Sequence, residues 1–216
     1  MKHYLLRFAI CCLIFSCKQK EEQPLFKESF KERKAHSKEQ DLKEYLDTSK
    51  NIYSNYEYSV SFNGPDNWKS DQGVSEHTIY RTYNLDSAIT FAINVIELNT
   101  SSASNAKNMW DYYIEDKAKL DNPYLDVIRT QLNTEPENYE VSKVYIKNNV
   151  GLRRYVEYKV RDQDYEYYNT VISQQVLIKN ITYTFSLDLP TVFYKGRKPY
   201  FDNLFSSINF LLNWDY

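Results

Sequence analysis

The sequence predicts an α+β domain: one curved antiparallel sheet of about six or seven strands with helices on its faces, an α/β/α sandwich. Three observations predict it. Apolar and polar residues alternate with period two in several segments. The cleanest sets Ile181, Tyr183, Phe185, Leu187 and Leu189 against Thr182, Thr184, Ser186 and Asp188. Strand candidates follow one another through short turns such as Lys179-Asn180, which pairs them antiparallel because parallel neighbours need long crossovers. Two segments carry helical spacing instead, and helices are needed because several strands are apolar on both faces: Ile96 and Leu98 oppose Val95, and Ile172, Val176 and Ile178 oppose Val171 and Leu177.

The chain has 216 residues and divides into three parts. Residues 1–16 read as a signal segment, 17–50 as a charged tether and 51–216 as a single α+β domain. The tether is polar through its middle, and Leu42, Tyr45 and Leu46 suggest a partial helix over Glu39–Asp47. In the domain, Tyr56, Tyr58, Val60 and Phe62 alternate with Glu57, Ser59, Ser61 and Asn63, the pattern of a half-buried strand. Gly64-Pro65-Asp66-Asn67 is a turn, with Trp68 after it. Strands are expected at His77–Tyr83 and Ile89–Val95. A helix follows, capped by Ser104 or Asn105, with Met109 and Tyr113, and Trp110, Ile114 and Ala118, at i, i+4, and stopped by Asp121-Asn122-Pro123. Strands are then expected at Tyr139–Lys147, Leu152–Val160, Tyr165–Ile178 and Ile181–Leu189, the last ended by Pro190. A final helix over Pro199–Leu212 carries Phe201, Leu204, Phe205, Ile208 and Leu211 on one face. The expected order is β-β-β-α-β-β-β-β-α.

The opening Tyr56-x-Tyr58-Ser59-Val60-Ser61-Phe62-x-x-Pro65-x-x-Trp68 resembles the start of the PsbP-like fold. That group includes the extrinsic PsbP subunit of photosystem II, Mog-type Ran-binding proteins and DcrB-type bacterial lipoproteins. The Tyr183–Leu187 strand followed by the Phe201–Ile208 helix is similar too, so the resemblance spans residues 53–212 in element order. It implies an accessory or binding role and carries over no catalytic residue, because a fold does not fix an activity.

The N-terminus carries a separate message. Lys2 and Arg7 precede the short apolar run Phe8–Phe15, and small Ser16 sits directly before Cys17. Positive flank, apolar core and small-residue cleavage point form a secretory signal, and the run is far shorter than the roughly 20 residues a spanning helix needs. Ile14-Phe15-Ser16-Cys17 resembles the lipobox of bacterial lipoproteins. That resemblance implies cleavage between Ser16 and Cys17, diacylation of the Cys17 thiol and acylation of its new amine. The bilayer is then the first partner, through acylated Cys17, and the location is the outer membrane. Lys18-Gln19-Lys20-Glu21-Glu22 resembles acidic tags for surface display, which leaves the periplasmic side and the cell surface both open.

Composition narrows the function. The 27 basic and 29 acidic residues give a net charge of −2, and loss of Lys2 and Arg7 makes the processed chain more acidic. A nucleic-acid binder would show a basic face, so none is expected. The three cysteines are Cys11, Cys12 and Cys17, so processing leaves no thiol for a disulfide, a nucleophile or a cysteine-ligated metal. No cofactor is expected. Tyrosine is abundant, at 21 residues, and falls mostly in strand-like runs where aromatics are favoured. Tyr155, Tyr158, Tyr165, Tyr167 and Tyr168 make the best candidate binding patch, with an envelope protein as partner.

Candidate chemistry is sparse. His36 lies in the tether, and His77, beside Glu76, would need a nucleophile or carboxylate brought near by the fold to act in catalysis. Asp162, Asp164 and Glu166 are spaced like calcium ligands but lack the glycine and distal glutamate of an EF-hand. Gly64, Gly73, Gly151 and Gly196 are too scattered for a phosphate loop. Lys195-Gly196-Arg197-Lys198 reads as a basic turn. Asp86-Ser87-Ala88 resembles a short O-glycosylation acceptor of some Gram-negative envelopes. The reading is a membrane-anchored, non-catalytic accessory or binding module. The alternative is an envelope hydrolase using a carboxylate pair drawn from Asp162, Asp164, Glu157 and Glu166.

Overall fold

The computed structural model describes residues 44–71, 75–98, 106–162 and 165–211. Ser16, Cys17, His36, Gly73, Ser104, Asn105 and Asp164 lie outside them. Seven strands form the large antiparallel sheet: β4 (Lys69–Asp71), β5 (Thr78–Asn84), β6 (Ile89–Glu97), β7 (Pro136–Ile146), β8 (Asn149–Asp162), β9 (Tyr165–Ile178) and β10 (Ile181–Pro190). Their spatial order is β4-β5-β6-β10-β9-β8-β7. A smaller antiparallel sheet holds β1 (Glu44–Asp47), β2 (Ile52–Asn55), β3 (Val60–Asn63) and β11 (Ile208–Phe210), in the order β1-β2-β3-β11. Four helices complete the described part: α1 (Met109–Glu115), α2 (Lys117–Gln131), α3 (Thr191–Gly196) and α4 (Lys198–Ser206). The fold is α+β with helices on both faces of an antiparallel sheet, as the alternation predicts.

Strand alternation sorts the layers. On β8, Leu152, Val156 and Tyr158 face α1 and α2: Leu152 packs with Met109 and Tyr113, and Val156 and Tyr158 pack with Tyr124 and Ile128. The intervening Tyr155 packs into the main core on the other face. There the small sheet, α3 and α4 supply Tyr53, Val60, Phe62, Tyr194, Phe201, Leu204, Phe205 and Ile208 against Tyr80, Phe91, Ile93, Tyr183, Phe185 and Leu187. Aromatic stacking fastens the layers: Tyr53 lies 4.6 Å from Tyr80, and Phe62 lies 4.4 Å from Phe91, ring centre to ring centre. Such pairs contribute about 0.5–1.5 kcal/mol each beyond their burial.

Four elements differ from the sequence reading, each for a local reason. Glu44–Asp47, expected as helix, is strand β1 and pairs with β2 from Glu44↔Asn55 to Asp47↔Ile52. The Asp47 carboxylate accepts from the Ser49 and Lys50 amides, and Asn51 takes a left-handed φ of 50°, so the chain turns back instead of coiling. The expected Tyr56–Phe62 strand is instead a hairpin turn leading into β3. Asn55 accepts from the Tyr58 amide at 2.8 Å, and Ser59 has φ 49°.

The third difference is the helical region. Asn108 caps α1 by accepting from the Asp111 amide, and Asp116 caps α2 by accepting from the Lys119 amide. Pro123 does not stop the helix; α2 runs through it. Pro123 forgoes the bond to the Lys119 carbonyl, but Tyr124 and Ile128 beyond it are anchored on Val156, Tyr158 and Val171. The fourth is the C-terminus. Lys195-Gly196 ends helix α3 rather than forming a loop, and the last helix stops at Ser206. Ile208 then continues as β11 against Phe62, because its side chain is fully buried under the small sheet.

Candidate ligand-binding cleft

A cleft of about 770 Å3 opens at the end of the large sheet where the β5–β6 turn, the start of β9 and helix α3 converge. Its position follows from three local features. Asn84 accepts from the Ser87 amide at 3.1 Å and Ala88 has φ 51°, so the β5–β6 turn is tight and holds Leu85 out at 49% exposure. Pro190 ends β10 and serves as the N-terminal flank of α3. Thr191 and Thr170 then share a buried hydroxyl–hydroxyl bond of 2.8 Å, which pins α3 to β9. This turns Val192 and Phe193 outward, 73% and 41% exposed, across from Leu85 and Tyr168.

One buried carboxylate stands in this apolar surround. Glu157, on β8, has a side chain 6% exposed. Its oxygens accept from Asn138 Nδ2 at 2.8 Å, from Lys195 Nζ at 3.0 Å and from the Tyr155 hydroxyl. Burial acts to raise its pKa, but the donors from Tyr155, Lys195 and Asn138 outweigh it and hold the carboxyl below its ordinary value. The same contact and burial push the Tyr155 hydroxyl well above the usual tyrosine range. Lys195 comes from the last turn of α3, and its side chain is 64% exposed. Glu137 and Asp86 also line the cleft, so three carboxylates face one ammonium.

The five tyrosines of the sequence-derived patch do not share one surface. Tyr158 is buried under α2, where its hydroxyl bonds Asn169 Nδ2 at 2.8 Å. Tyr155 lies on the opposite face of β8, half-buried against Tyr194 at 5.8 Å between rings. Tyr167 and Tyr168 both line the cleft, whereas Tyr165 is 76% exposed and outside it. Cleft residues that sequence reading missed include Leu85, Glu137, Val192 and Phe193, which come from three separate segments with no common spacing.

Of the proposed carboxylate pairs, Glu157 and Glu166 do not assemble, and Asp164 lies outside the described residues. Register places Glu157 opposite Thr170 and Glu166 opposite Arg161, four residues apart along the ladder. That is roughly 13 Å, beyond both the ~5 Å and the ~6.5–9.5 Å separations used for glycoside hydrolysis. Glu166 is held by Lys159 and Arg161, which lower its pKa. His77 sits 3.6 Å from its neighbour Glu76, the histidine half-buried and the glutamate exposed. Among the described residues, no group of three or more His, Cys, Asp or Glu could hold a metal ion. Ser87 lies on the cleft rim.

No family model and no curated protein matches this chain. Among solved structures it is similar to the solution structure of cyanobacterial PsbP (CyanoP) from Synechocystis, with a TM-score of 0.54 and 15% identity, covering 74% of this chain and 91% of that one. The fold is PsbP-like. A protein from Bacteroides thetaiotaomicron is 16% identical at a TM-score of 0.45 over 73% of this chain and 47% of its own. The yeast Ran-binding protein Mog1p is 6% identical at a TM-score of 0.41 over 73% of this chain and 93% of its own. At these identities the PsbP-like fold carries architecture only, and function has to come from the cleft.

Proposed function

We propose that the protein is a membrane-anchored envelope lipoprotein whose folded domain is a non-catalytic accessory or binding module, with the cleft as its binding site. The state of Glu157 carries this reading. A general acid needs a proton to give near working pH, and a general base needs a free lone pair aimed at the substrate. Glu157 is held ionised, and three donors already occupy its oxygens. What the cleft offers is a fixed charge beside apolar and aromatic surface, the composition of a recognition site. The PsbP-like fold is compatible with an accessory role. An envelope protein is the partner class this reading favours.

The anchor rests on the order of Lys2, Arg7, the apolar run, Ser16 and Cys17. Two or three acyl chains bind a bilayer durably at about 0.8 kcal/mol per buried CH2. Among the described residues no helix is long and apolar enough to cross a membrane. The outer membrane is the expected location, facing the periplasm or the cell surface, and protease shaving of intact cells separates the two. Intact mass of the membrane-extracted protein tests the anchor: it should begin at Cys17 and carry acyl mass, and Cys17→Ser should move the protein to the soluble fraction. An unprocessed, unacylated chain refutes the anchor. The binding role is tested by co-purification from solubilised envelopes, comparing wild type with Val192→Glu. A partner recovered only with wild type supports the cleft, and equal recovery with both refutes it.

A further inference from the structure

We infer that the cleft takes an organic cation, an ammonium or guanidinium carried on an apolar body, which displaces Lys195 from Glu157. The inference rests on the cleft being the binding site. A buried carboxylate needs a cationic or hydrogen-bonding partner in every state of the protein. Here Asn138 and Tyr155 come from the sheet, which keeps them in place, whereas Lys195 reaches Glu157 from a short helix with most of its side chain in water. Holding that contact costs the long Lys195 side chain rotamer freedom, and its exposed ammonium returns to water when another cation takes its place. A ligand cation arriving at Glu157 restores the same pairing. Its apolar body also covers Leu85, Val192 and Phe193, burial that Lys195 leaves unmade.

The charge of the cleft selects the sign. With Glu157, Glu137 and Asp86 against Lys195 alone, an anion entering beside Glu157 meets net repulsion, and a neutral ligand leaves Lys195 in place. The volume, about 770 Å3, falls within the ~300–1,000 Å3 of small-ligand sites and admits a basic side chain with an adjacent apolar one. A Lys or Arg side chain of a polypeptide and a free amine share this chemistry.

Titration of the full chain with four probes, followed by NMR shifts of the Leu85, Val192 and Lys195 amides, tests it. The probes are Ac-Lys-Phe-NH2, Ac-Gln-Phe-NH2, Ac-Glu-Phe-NH2 and phenethylamine. The expected result is saturable shifts with Ac-Lys-Phe-NH2, at least tenfold weaker binding of the Gln and Glu peptides, and loss of that preference in Glu157→Gln. Phenethylamine binding as tightly as the Lys peptide identifies a free amine as the source, and weaker binding identifies a polypeptide. Lys195→Gln, which leaves the buried carboxylate and its sheet donors in place, should bind the Lys peptide about 3–10-fold more tightly because the internal competitor is gone. Weaker binding by Lys195→Gln overturns displacement. Preference for the Glu or Gln peptide overturns the cation and leaves the cleft a binding site. No shift at any cleft amide with any probe overturns the cation, whereas the binding reading itself stands or falls on the Val192→Glu co-purification.

Discussion

Asp188 gives the stability of this protein an unusual pH dependence. It lies on β10 with its side chain buried on the face of the sheet that α1 and α2 cover, and Asn169 Nδ2 donates to it. Burial pushes its pKa from 3.8 to about 7, with the Asn169 bond opposing only part of the rise. The sign follows from proton counts. Between those two values the folded state holds a proton that the unfolded state has lost, so stability falls as pH rises through this window. At about 1.36 kcal/mol per pH unit, roughly 2.7 kcal/mol should be lost between pH 5 and pH 8, with no further loss from this group above pH 8. The assay is urea unfolding at half-unit pH intervals for wild type and Asp188→Asn. The asparagine cannot ionise, so its curve should lack this fall, and the difference between the two proteins should decline steadily from pH 5 and level off just above pH 7. Carboxylates with lowered pKa, Glu157 and Glu166, destabilise only on acidification below the ordinary carboxylate range, so they do not mask it. Parallel curves for the two proteins from pH 5 to pH 8 would refute the buried-carboxyl argument.

Three further substitutions probe the frame that holds the cleft. Gly151→Ala would bring a Cβ within 2.5 Å of the Gln175 carbonyl and 2.9 Å of Val176 Cγ1, so a backbone shift is needed. Chemical unfolding should show a loss of about 1–3 kcal/mol. Pro123→Ala restores an amide to the interior of α2 and should gain about 1–2 kcal/mol, the helix gain being partly offset by a freer unfolded chain. Arg154→Met removes a buried guanidinium that bonds Tyr139 at 3.2 Å, Asp121 at 3.4 Å and Gln175, and lies over the rings of Tyr113 and Tyr124. Leaving Asp121 with Tyr113 and Tyr139 as its remaining donors should cost about 2–4 kcal/mol, read as a lower urea midpoint at pH 7.

Strand alternation was legible wherever residues sit in a ladder with one face toward each layer, as in β9 and β10. It misled at Tyr56 and Tyr58, which continue the period of β3 in sequence but occupy a turn, where Tyr56 is exposed and Tyr58 packs against the main core. The decisive signals there were Asn55, whose side chain accepts from the turn, and Ser59, which takes positive φ. Pro123 looked like a stop because local propensity disfavours it, and tertiary anchoring of Tyr124 and Ile128 overrode that preference. Ile208 fits the spacing of α4 but is drawn off as a strand by burial against Phe62. The cleft was the least legible part. Glu157 and the tyrosines were visible as residue types, but the faces they occupy depend on register. Leu85 and Val192 enter only through the convergence of a hairpin turn and a helix more than a hundred residues apart.

Strand β8 links the two sides of the molecule, and its alternation explains why the cleft can be both rigid and adaptable. Arg154, Val156 and Tyr158 are consumed by α1 and α2, which fixes the strand along that face. Arg153, Tyr155 and Glu157, between them, point to α3 and the cleft. Arg153 bonds the Tyr194 hydroxyl at 3.0 Å and approaches Asp202 at 3.8 Å, so α3 and α4 are both tied to β8. Tyr194 in turn packs against Phe201 and Tyr155. The ties converge on the buried side of α3, and its outer side, with Val192, Phe193 and Lys195, is left to solvent. The carboxylate is therefore set by the sheet while its cationic partner and the apolar rim ride on a six-residue helix. A ligand that replaces Lys195 needs only a side chain to move, with no change in β8 or in the core beneath it.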